Sequence, residues 1–248
     1  MDSLLNDVSL MAQLHDEAQA FEIEVSNDQA ALLLRHLELV IEKNKVLNLT
    51  RIVDEGDAVT KHLVDSLLFV KAFELADDRS TRFLDVGTGA GFPGIPFGIM
   101  IGCKGTLLDS VGKKIQAVQE FIDELGLDRS LEAQAMRVED LARERRGAYG
   151  CVTARAVAEL NVLLEYAAPL LHKGGVLIVS KGQLKDDELA NGAYAAKVCG
   201  FDYVSRETFE LPHDAGHREI LVYQKTHKPE IKLPRNVGMA KHKPLIAS

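Results

Sequence analysis

The residues with the clearest chemical potential lie in a glycine-rich segment flanked by two aspartates. Residues 82–96 read RFLDVGTGAGFPGIP. Glycine accepts positive φ angles and lets a ligand approach the backbone closely. Asp85 precedes the turn, and Asp109 ends the next predicted strand, where a carboxylate can accept hydrogen bonds from both hydroxyls of a ribose. The spacing favours an adenosine-binding turn over its structural alternative, a tight strand-to-helix connection without a ligand.

Two cofactors suit such a turn. A nicotinamide dinucleotide places its pyrophosphate against free amide groups at a helix N-terminus, whereas S-adenosylmethionine has no phosphate and carries a positive sulfonium. A carboxylate at Asp85 would repel a pyrophosphate and would suit the cationic methionine portion. Pro93 and Pro96 also remove two amide donors from the following helix. The sequence therefore favours S-adenosylmethionine, with a dinucleotide as the alternative.

The elements that must position these residues are read from the apolar pattern. From residue 82, short apolar runs alternate with helical stretches, which indicates βα units and a parallel sheet. Strands are predicted at 82–86, 105–109, 131–135, 150–154 and 175–180, with helices at 94–101, 113–125, 160–171 and 184–199. Two further strands, 202–210 and 218–225, have no helix between them and predict an antiparallel hairpin. The polar ends of the first three strands, with Glu139 after the third, should meet at one edge of this sheet.

Upstream of the sheet the pattern is helical. Ser26 and Gln29 have the spacing of a capping box, and apolar residues then recur at helical spacing to about Lys45. A second helix begins near Asp57 and places His62, Asp65 and Ser66 within one turn. This trio is either a polar seam between the helices and the sheet or part of a site. The predicted organisation is a helical cap over residues 1–78, a Rossmann-like core over 79–226 and a basic, extended tail over 227–248.

Charge and composition exclude several classes of protein. The chain of 248 residues has a formal net charge of −8, which argues against non-specific nucleic-acid binding through bulk charge. The charge is uneven, because residues 1–30 contain seven acids and no Lys or Arg, while residues 225–248 contain six basic residues and one acid. No apolar run approaches the ~20 residues of a membrane span, and no signal-peptide pattern opens the chain. Cys103, Cys151 and Cys199 have no metal-binding or disulfide spacing. We therefore expect a cytoplasmic protein without a metal site.

Several motifs together resemble one family. Residues 84–96 (LDVGTGAGFPGIP) are followed by LDSVGKK at 108–114, RVED at 137–140, TARA at 153–156 and SKG at 180–182. With NLT at 48–50 and KHLVDS at 61–66, this ordered set is similar to the glucose-inhibited division protein B family. Those class I methyltransferases modify N7 of a guanine in bacterial small-subunit ribosomal RNA. The resemblance implies an α/β fold with a mostly parallel seven-stranded sheet, a C-terminal antiparallel hairpin, a helical cap and S-adenosylmethionine as cofactor.

The resemblance implies that Gly87, Phe92, Asp109, Ser110, Val138, Glu139 and Arg155 line the cofactor site, and the glycine-rich turn and the basic tail themselves indicate further site residues. The predicted cofactor-binding residues are Asp85, Gly87, Gly89, Gly91, Phe92, Asp109, Ser110, Val138, Glu139 and Arg155. Arg155 and Lys181 are the candidates for catalytic contacts, and the candidates for RNA contacts are His62, Lys181, Arg235, Lys241 and Lys243. The structural alternatives are an ion pair between Arg155 and Glu139, a solvated loop lysine at 181, and a flexible, solubilising tail. Guanine N7 is an exposed lone pair, so methyl transfer requires alignment of the reactants and no general base.

The implied partner is 16S ribosomal RNA, with a target like its guanine 527, either as naked RNA or within the 30S subunit or an assembly intermediate. Two other functions remain open on the sequence alone. One is a methyltransferase that acts on a small molecule or a protein. The other is a regulatory protein that binds S-adenosylmethionine without turnover.

Overall fold

The computed structural model describes residues 7–74 and 82–247. These residues form seven strands, ten α-helical segments and one π-helical turn. The strands are β1 (Phe83–Val86), β2 (Gly105–Asp109), β3 (Leu131–Ala135), β4 (Tyr149–Arg155), β5 (Leu171–Lys181), β6 (Phe201–Leu211) and β7 (Gly216–Lys225). The helices are α1 (Val8–Ala20), α2 (Asn27–Asn44), α3 (Glu55–Ala58), α4 (Asp65–Phe73), α5 (Gly94–Ile101), α6 (Gly112–Glu124), α7 (Val138–Glu144), α8 (Leu160–Ala167), α9 (Asp186–Cys199) and α10 (Met239–His242).

The seven strands form one sheet in the order β3-β2-β1-β4-β5-β7-β6. Strands β1 to β5 are parallel, and β7 is antiparallel to both β5 and β6. The sheet confirms the predicted class I methyltransferase fold, including its terminal hairpin. The chain order reverses between β1 and β4, and in such sheets ligands bind beyond the carboxyl ends of the strands at that point.

Successive residues of a strand point to opposite faces of the sheet, and the two faces carry separate cores. Phe83 of β1 packs with the helices of the cap and with α5. Its neighbour Leu84 packs on the other face with α7, α8 and α9. Asp85 follows with the period of two and therefore lies on the same face as Phe83.

The cap packs against the face of the sheet that carries Phe83, through α2 and through the helical segment from α3 to α4. The predicted capping box is present: Ser26 Oγ accepts from the Gln29 amide, and the Gln29 side chain accepts from the Ser26 amide. The second predicted helix is not uniform, because α3 and α4 are joined by a π-helical turn at Val59–Val64. The predicted boundary between cap and core, at 78/79, lies outside the described residues.

Helix α1 was not predicted, and it gives part of the acidic N-terminal region a structural role. Its Glu17 is buried, and Glu17 Oε1 accepts from Gln13 Nε2 at 2.7 Å and from Thr60 Oγ1 at 3.0 Å. His213, in the β6–β7 turn, lies 3.1 Å from the same oxygen. Glu17 thus links α1 to the π-helical turn and to the terminal hairpin.

The tail after β7 was expected to be extended, and the structure shows it packed against the core. Leu233 and Ala240 are 2% and 1% exposed. The carbonyl of Leu233 accepts a hydrogen bond from the Arg146 side chain, and the carbonyl of Leu245 accepts one from Asn161 at 2.8 Å. The tail also contains the one-turn helix α10. It therefore forms part of the folded unit.

No helix in residues 7–74 and 82–247 is long and apolar enough to span a bilayer.

Candidate cofactor and substrate cavity

A cavity of about 680 Å³ lies at the carboxyl ends of β1, β2 and β4. The sheet contributes the glycine-rich turn, the cap contributes Leu49 and Thr50, and the tail contributes Val237 and Gly238. Ten of the predicted site residues line it: His62, Gly87, Gly89, Phe92, Asp109, Ser110, Val138, Glu139, Arg155 and Lys241. Asp85, Gly91, Lys181, Arg235 and Lys243 are not among its lining residues.

The glycine-rich turn is shaped by positive φ angles and by close packing. Gly87 has φ of 72°, and a Cβ added there would lie 2.5 Å from Cγ2 of Val157. The amides of Gly87 and Thr88 donate to the carbonyl of Leu108 at 2.8 and 3.0 Å, which ties the turn to β2. Gly91 packs away from the cavity, where a Cβ would lie 3.0 Å from His36 Nε2. Gly91 is therefore needed for packing beneath the turn.

Asp85 does not contact the cavity, in contrast to the predicted contact with the methionine portion of the cofactor. It is fully buried; its Oδ2 accepts from the Gly94 amide at 3.0 Å, and its Oδ1 accepts from Thr153 Oγ1 at 2.9 Å. Burial raises the pKa of this carboxyl to about 6. The side chain holds the turn against α5 and β4.

The same hydrogen bond argues against a dinucleotide pyrophosphate at this turn. A phosphate at the start of α5 would need free amide groups. The Gly94 amide already donates to Asp85, and the Ile95 amide donates to the carbonyl of Gly91 at 2.7 Å. Pro93 and Pro96 have no amide hydrogen. The first turn of α5 is also buried, so this helix N-terminus offers no anion site.

Asp109 presents a carboxylate on the cavity wall, as predicted. Its Oδ2 accepts from the Gly89 amide at 3.3 Å, and its Oδ1 accepts from the Val111 amide at 2.9 Å. These two bonds fix the direction of the carboxylate. Each carboxylate oxygen can accept more than one hydrogen bond, so acceptor capacity remains for the hydroxyls of a ribose. The acceptor capacity of Asp109 thus fits an adenosine group.

Val138 and Glu139 open α7 and form another wall of the cavity. Val138 is 8% exposed and Glu139 is 6% exposed. Glu139 Oε1 accepts from the Gly238 amide at 2.8 Å, so this carboxylate holds the tail over the cavity. Burial and the nearby charge of Glu139 raise the pKa of the Tyr166 hydroxyl to about 12.

A stack of three rings forms the boundary between the turn and the cap. The His62 ring lies parallel to Phe92, with centroids 4.6 Å apart, and the His36 ring lies 4.5 Å from Phe92 at an angle of 40°. Burial lowers the pKa of both histidines to about 3, so both are neutral at pH 7. His36 Nε2 lies 3.0 Å from the carbonyl of Ala90, and His62 Nε2 lies 2.8 Å from Thr50 Oγ1. The stack fixes Phe92 in the cavity wall.

Arg155 lies on the cavity wall with its guanidinium carbon 5.6 Å from the centroid of Phe92. Its Nη1 donates to Asp65 Oδ2 at 3.0 Å and to the carbonyl of Lys61 at 3.3 Å. The structure therefore pairs Arg155 with Asp65 of the cap and not with Glu139. Of the predicted trio, His62 lines the cavity and Asp65 is the ion partner of Arg155, whereas Ser66 Oγ donates to the carbonyl of His62 within the helix.

The remaining predicted residues are engaged elsewhere. Lys181 Nζ binds Glu188 Oε1 at 2.7 Å and the carbonyl of Ala158 at 2.9 Å, away from the cavity wall. Arg235 makes a two-point ion pair with the buried Glu165, in which Nε lies 2.7 Å from Oε1. This geometry gives Lys181 and Arg235 structural partners in place of the predicted catalytic and RNA contacts.

Two lysines of the tail differ from Arg235. Lys241 lies at the cavity, with Nζ 3.4 Å from the carbonyl of Val157. Lys243 is exposed on the surface. Thr50, Lys114 and Arg137 also line the cavity, and they are not among the predicted site residues. Each lies within a motif quoted for the family, and that position was the available signal.

Within residues 7–74 and 82–247, no group of three or more His, Cys, Asp or Glu side chains is placed to hold a metal ion.

Comparison with known proteins gives a consistent family. Residues 29–219 match the model of the family described as rRNA small subunit methyltransferase G. The ribosomal RNA small subunit methyltransferase G of Deinococcus radiodurans is 42% identical over 214 residues, which is 85% of this chain and 83% of the relative. The protein of the same name from Desulfitobacterium hafniense is 37% identical over 231 residues, covering 92% and 94% of the two chains.

Solved structures share the fold at low sequence identity. A putative sarcosine dimethylglycine methyltransferase from Galdieria sulphuraria aligns with a TM-score of 0.54 at 13% identity, covering 71% of this chain and 89% of that one. The ribosomal protein L11 methylase of Lactobacillus delbrueckii subsp. bulgaricus aligns with a TM-score of 0.50 at 18% identity, covering 66% and 78%. The [4+2]-cyclase SpnF aligns with a TM-score of 0.51 at 16% identity, covering 66% and 81%. These likenesses concern the fold, which also supports chemistry other than methyl transfer.

Proposed function

This chain belongs to the rRNA small subunit methyltransferase G family, and from that premise we propose that it methylates N7 of a guanine in 16S ribosomal RNA with S-adenosylmethionine as the methyl donor. The proposed target is the guanine equivalent to position 527. The observation that carries the proposal is the carboxylate of Asp109 on the wall of a cavity formed by the glycine-rich turn. The absence of a free phosphate site on α5 supports S-adenosylmethionine over a dinucleotide.

The residues for the cofactor are those that line the cavity around the turn. Asp109 would accept from the ribose hydroxyls, and Gly87 and Gly89 of the turn would hold the cofactor through their backbone. Ser110, Val138 and Glu139 also line the cavity and would contribute to holding the adenosine group. Gly91 and Asp85 support the turn from below. S-adenosylmethionine supplies an electrophilic methyl carbon on a positive sulfur.

The chain's own residues position the guanine and exclude water. Guanine N7 already has a free lone pair, so no residue has to remove a proton. Neutral His62, with its pKa near 3, fits this requirement, since it forms a fixed part of the wall and is not a proton carrier near pH 7. Arg155 can donate hydrogen bonds to the O6 edge of the base from its place against Phe92. We assign Arg155 as the catalytic contact and His62 as a contact to the substrate.

The RNA has to reach this cavity with its guanine turned out of the stack, which costs a few kcal/mol. Lys241 at the cavity and Lys243 beside it are the proposed phosphate contacts, since lysine neutralises backbone charge locally even in a chain of net charge −8. The physiological substrate is the 30S subunit, an assembly intermediate or the RNA itself, and the site of action is the cytoplasm.

The test is methyl transfer from tritiated S-adenosylmethionine to 30S particles and to stripped 16S RNA, both from cells that lack the gene. Cleavage of the RNA at 7-methylguanine maps the label. We expect label at one guanine, and the better of the two substrates identifies the form that is recognised. Cofactor binding without label in either RNA would overturn the proposal. It would then favour a small-molecule or protein acceptor, or a protein that binds the cofactor without turnover.

A further inference from the structure

Arg155 is held by a charge cluster that reaches beyond the cavity. Its side chain is 14% exposed, and the paired carboxylate of Asp65 is 4% exposed. The second oxygen of that carboxylate, Oδ1, accepts from Arg218 Nε at 3.0 Å. One buried carboxylate therefore lies between two guanidinium groups, one at the end of β4 and one in β7.

The three members of the cluster come from three parts of the fold. Asp65 opens α4 in the cap, Arg155 ends the central strand β4, and Arg218 lies in the terminal hairpin. Arg155 lines the cavity, whereas Arg218 is not one of its lining residues. The hydrogen-bonded connection from Arg218 to the cavity therefore runs through Asp65 and Arg155.

The π-helical turn contributes a second anchor for Arg155. At the C-terminal end of this turn the backbone amides donate to the carbonyls of Thr60, His62 and Leu63. Lys61 lies within this turn, and its carbonyl accepts from Arg155 Nη1 at 3.3 Å. π-helical turns within helices frequently occur at functional sites. Here the wider turn places a backbone oxygen and the Asp65 carboxylate against the same guanidinium nitrogen.

The hydrogen bonding leaves Arg155 able to act on a ligand. Both bonds described for its guanidinium use Nη1. A guanidinium has five N–H donors in a rigid plane, so fixing Nη1 also fixes the direction of the other donors. Two arginines against one carboxylate leave one excess positive charge. Arg218 shares the carboxylate and so fixes the orientation of Asp65 toward Arg155.

We propose that Asp65 and Arg218 are positioning residues that hold the Arg155 guanidinium in its working orientation at the cavity. This inference rests on the proposed function, in which Arg155 contacts the bound reactants. The competing account is a structural ion cluster that joins the cap to the hairpin and has no influence on ligands. The two accounts differ in whether Arg218 and Arg155 act on binding and turnover as one unit.

The test compares Arg218→Met with a matched control, Arg206→Met. Arg206 lies in the same hairpin, and its Nε pairs with the buried Glu219 at 2.6 Å, away from the cavity lining. Three quantities are measured: the Kd for S-adenosylhomocysteine by calorimetry, kcat and KM on 30S particles, and Tm. We expect Arg218→Met to lower kcat about tenfold or to raise the Kd about tenfold. Arg206→Met should change only Tm. Arg218→Lys restores the charge and should recover part of the loss.

A double-mutant cycle with Arg155→Met decides the question. If Arg218 acts through Arg155, the double variant is no worse than Arg155→Met alone, because the effects of coupled residues are not additive. The proposal is supported if the effects of the two substitutions on the Kd or on kcat are not additive. It is overturned if the effects are additive in both quantities. It is also overturned if Arg218→Met alone has the wild-type Kd and kcat. If Arg218→Met fails to fold, Arg218→Lys replaces it in the same cycle.

The proposed function is tested separately, by whether the wild-type protein labels the RNA. If the wild-type protein labels neither form of the RNA, the proposed function fails, and the cycle is then judged from the Kd alone. Label with additive effects leaves the proposed function standing and overturns the positioning role.

Discussion

The Asp109 carboxylate can be tested independently of any RNA. Replacement by alanine removes charge-assisted hydrogen bonds to the ribose, which are worth about 1.5–3 kcal/mol. Asp109→Ala should therefore weaken binding of S-adenosylmethionine about 10-fold to 100-fold in calorimetry. The exposed Asp123, which accepts from Gln119 Nε2 at 2.8 Å on α6, provides a matched Asp→Ala control. An Asp109→Ala protein with wild-type affinity would place the ribose elsewhere.

Asp85 predicts a specific dependence of stability on pH. The usual pKa of such a carboxyl is 3.8, and burial raises it to about 6 in the folded chain, so between these values the folded state binds more protons than the unfolded state. The free energy of unfolding therefore falls as the pH rises from about 4 to about 6. A shift of about two pKa units corresponds to about 3 kcal/mol.

The isosteric variant Asp85→Asn removes this titration. Its amide oxygen can accept from the Gly94 amide as the carboxylate does, and its amide nitrogen can donate to Thr153 Oγ1, which reverses the direction of that bond. Denaturant unfolding of both proteins at pH 4 and pH 7 gives the difference. We expect wild-type stability to decrease relative to Asp85→Asn by up to ~3 kcal/mol over that range. A constant difference would show that Asp85 is ionised without penalty. Asp123→Asn, in which an exposed carboxyl is removed, should show no comparable trend.

At the residue level, the sequence predicts which residues lie near the site better than it predicts where their side chains point. The placement of Asp109 at a strand end was sufficient to predict its exposure on the cavity wall. Asp85 lies one residue before the end of β1, but the period of two along β1 turns it under α5, and its partners Gly94 and Thr153 come from distant segments. Lys181 is the last residue of β5, and its ion pair with Glu188 depends on the packing of α9. Contacts between segments that are distant in sequence can be identified only from the tertiary structure.

Among the elements, the strands and α2 could be predicted because each has a clear apolar period or a capping motif. Helix α1 also had a signal, since Leu10, Leu14 and Ala18 recur every four residues and Asp7 Oδ1 accepts from the Ser9 amide as an N-cap. Helix α7, with seven residues, is too short for a period to be recognised. The π-helical turn has no pattern of its own, because one extra residue per turn follows from packing of the cap and not from residue type.

The capping box of α2 allows a test at the level of an element. Ser26→Ala removes the side-chain acceptor for the Gln29 amide, so the free energy of unfolding should fall by about 1 kcal/mol. Ser26→Asp keeps an acceptor and adds a negative charge at the helix N-terminus, so it should retain wild-type stability. Both values come from urea titrations. Equal destabilisation by Ala and Asp would show that the cap bond does not contribute.

In the whole molecule, the N- and C-terminal regions close the site from two sides. The cap places His62 and Thr50 at the cavity, and the tail places Gly238 and Lys241 there. The sequence predicts the cap, the core and a basic, extended tail as three successive segments of the chain. Periodicity carries no information on the docking of the tail, because that docking depends on single polar contacts such as Glu139 with the Gly238 amide.

The Arg235–Glu165 pair tests whether the tail is part of the folded unit. The Glu165 carboxylate is 4% exposed, so Arg235→Met leaves a buried charge without its partner, at a cost of about 3 kcal/mol. The double variant Arg235→Met with Glu165→Gln removes both charges and should recover most of that loss. Lys243→Ala changes an exposed side chain and should leave unfolding unchanged while weakening RNA binding and lowering its salt dependence.

Wild-type stability of Arg235→Met would mean that this ion pair does not hold the tail, and cutting the chain after Thr226 would then remove only an RNA contact. With the pair intact as described, the same cut also removes Leu233 and Ala240 from the core, so loss of methylation in a truncated protein has to be compared with its Tm before it is attributed to RNA binding.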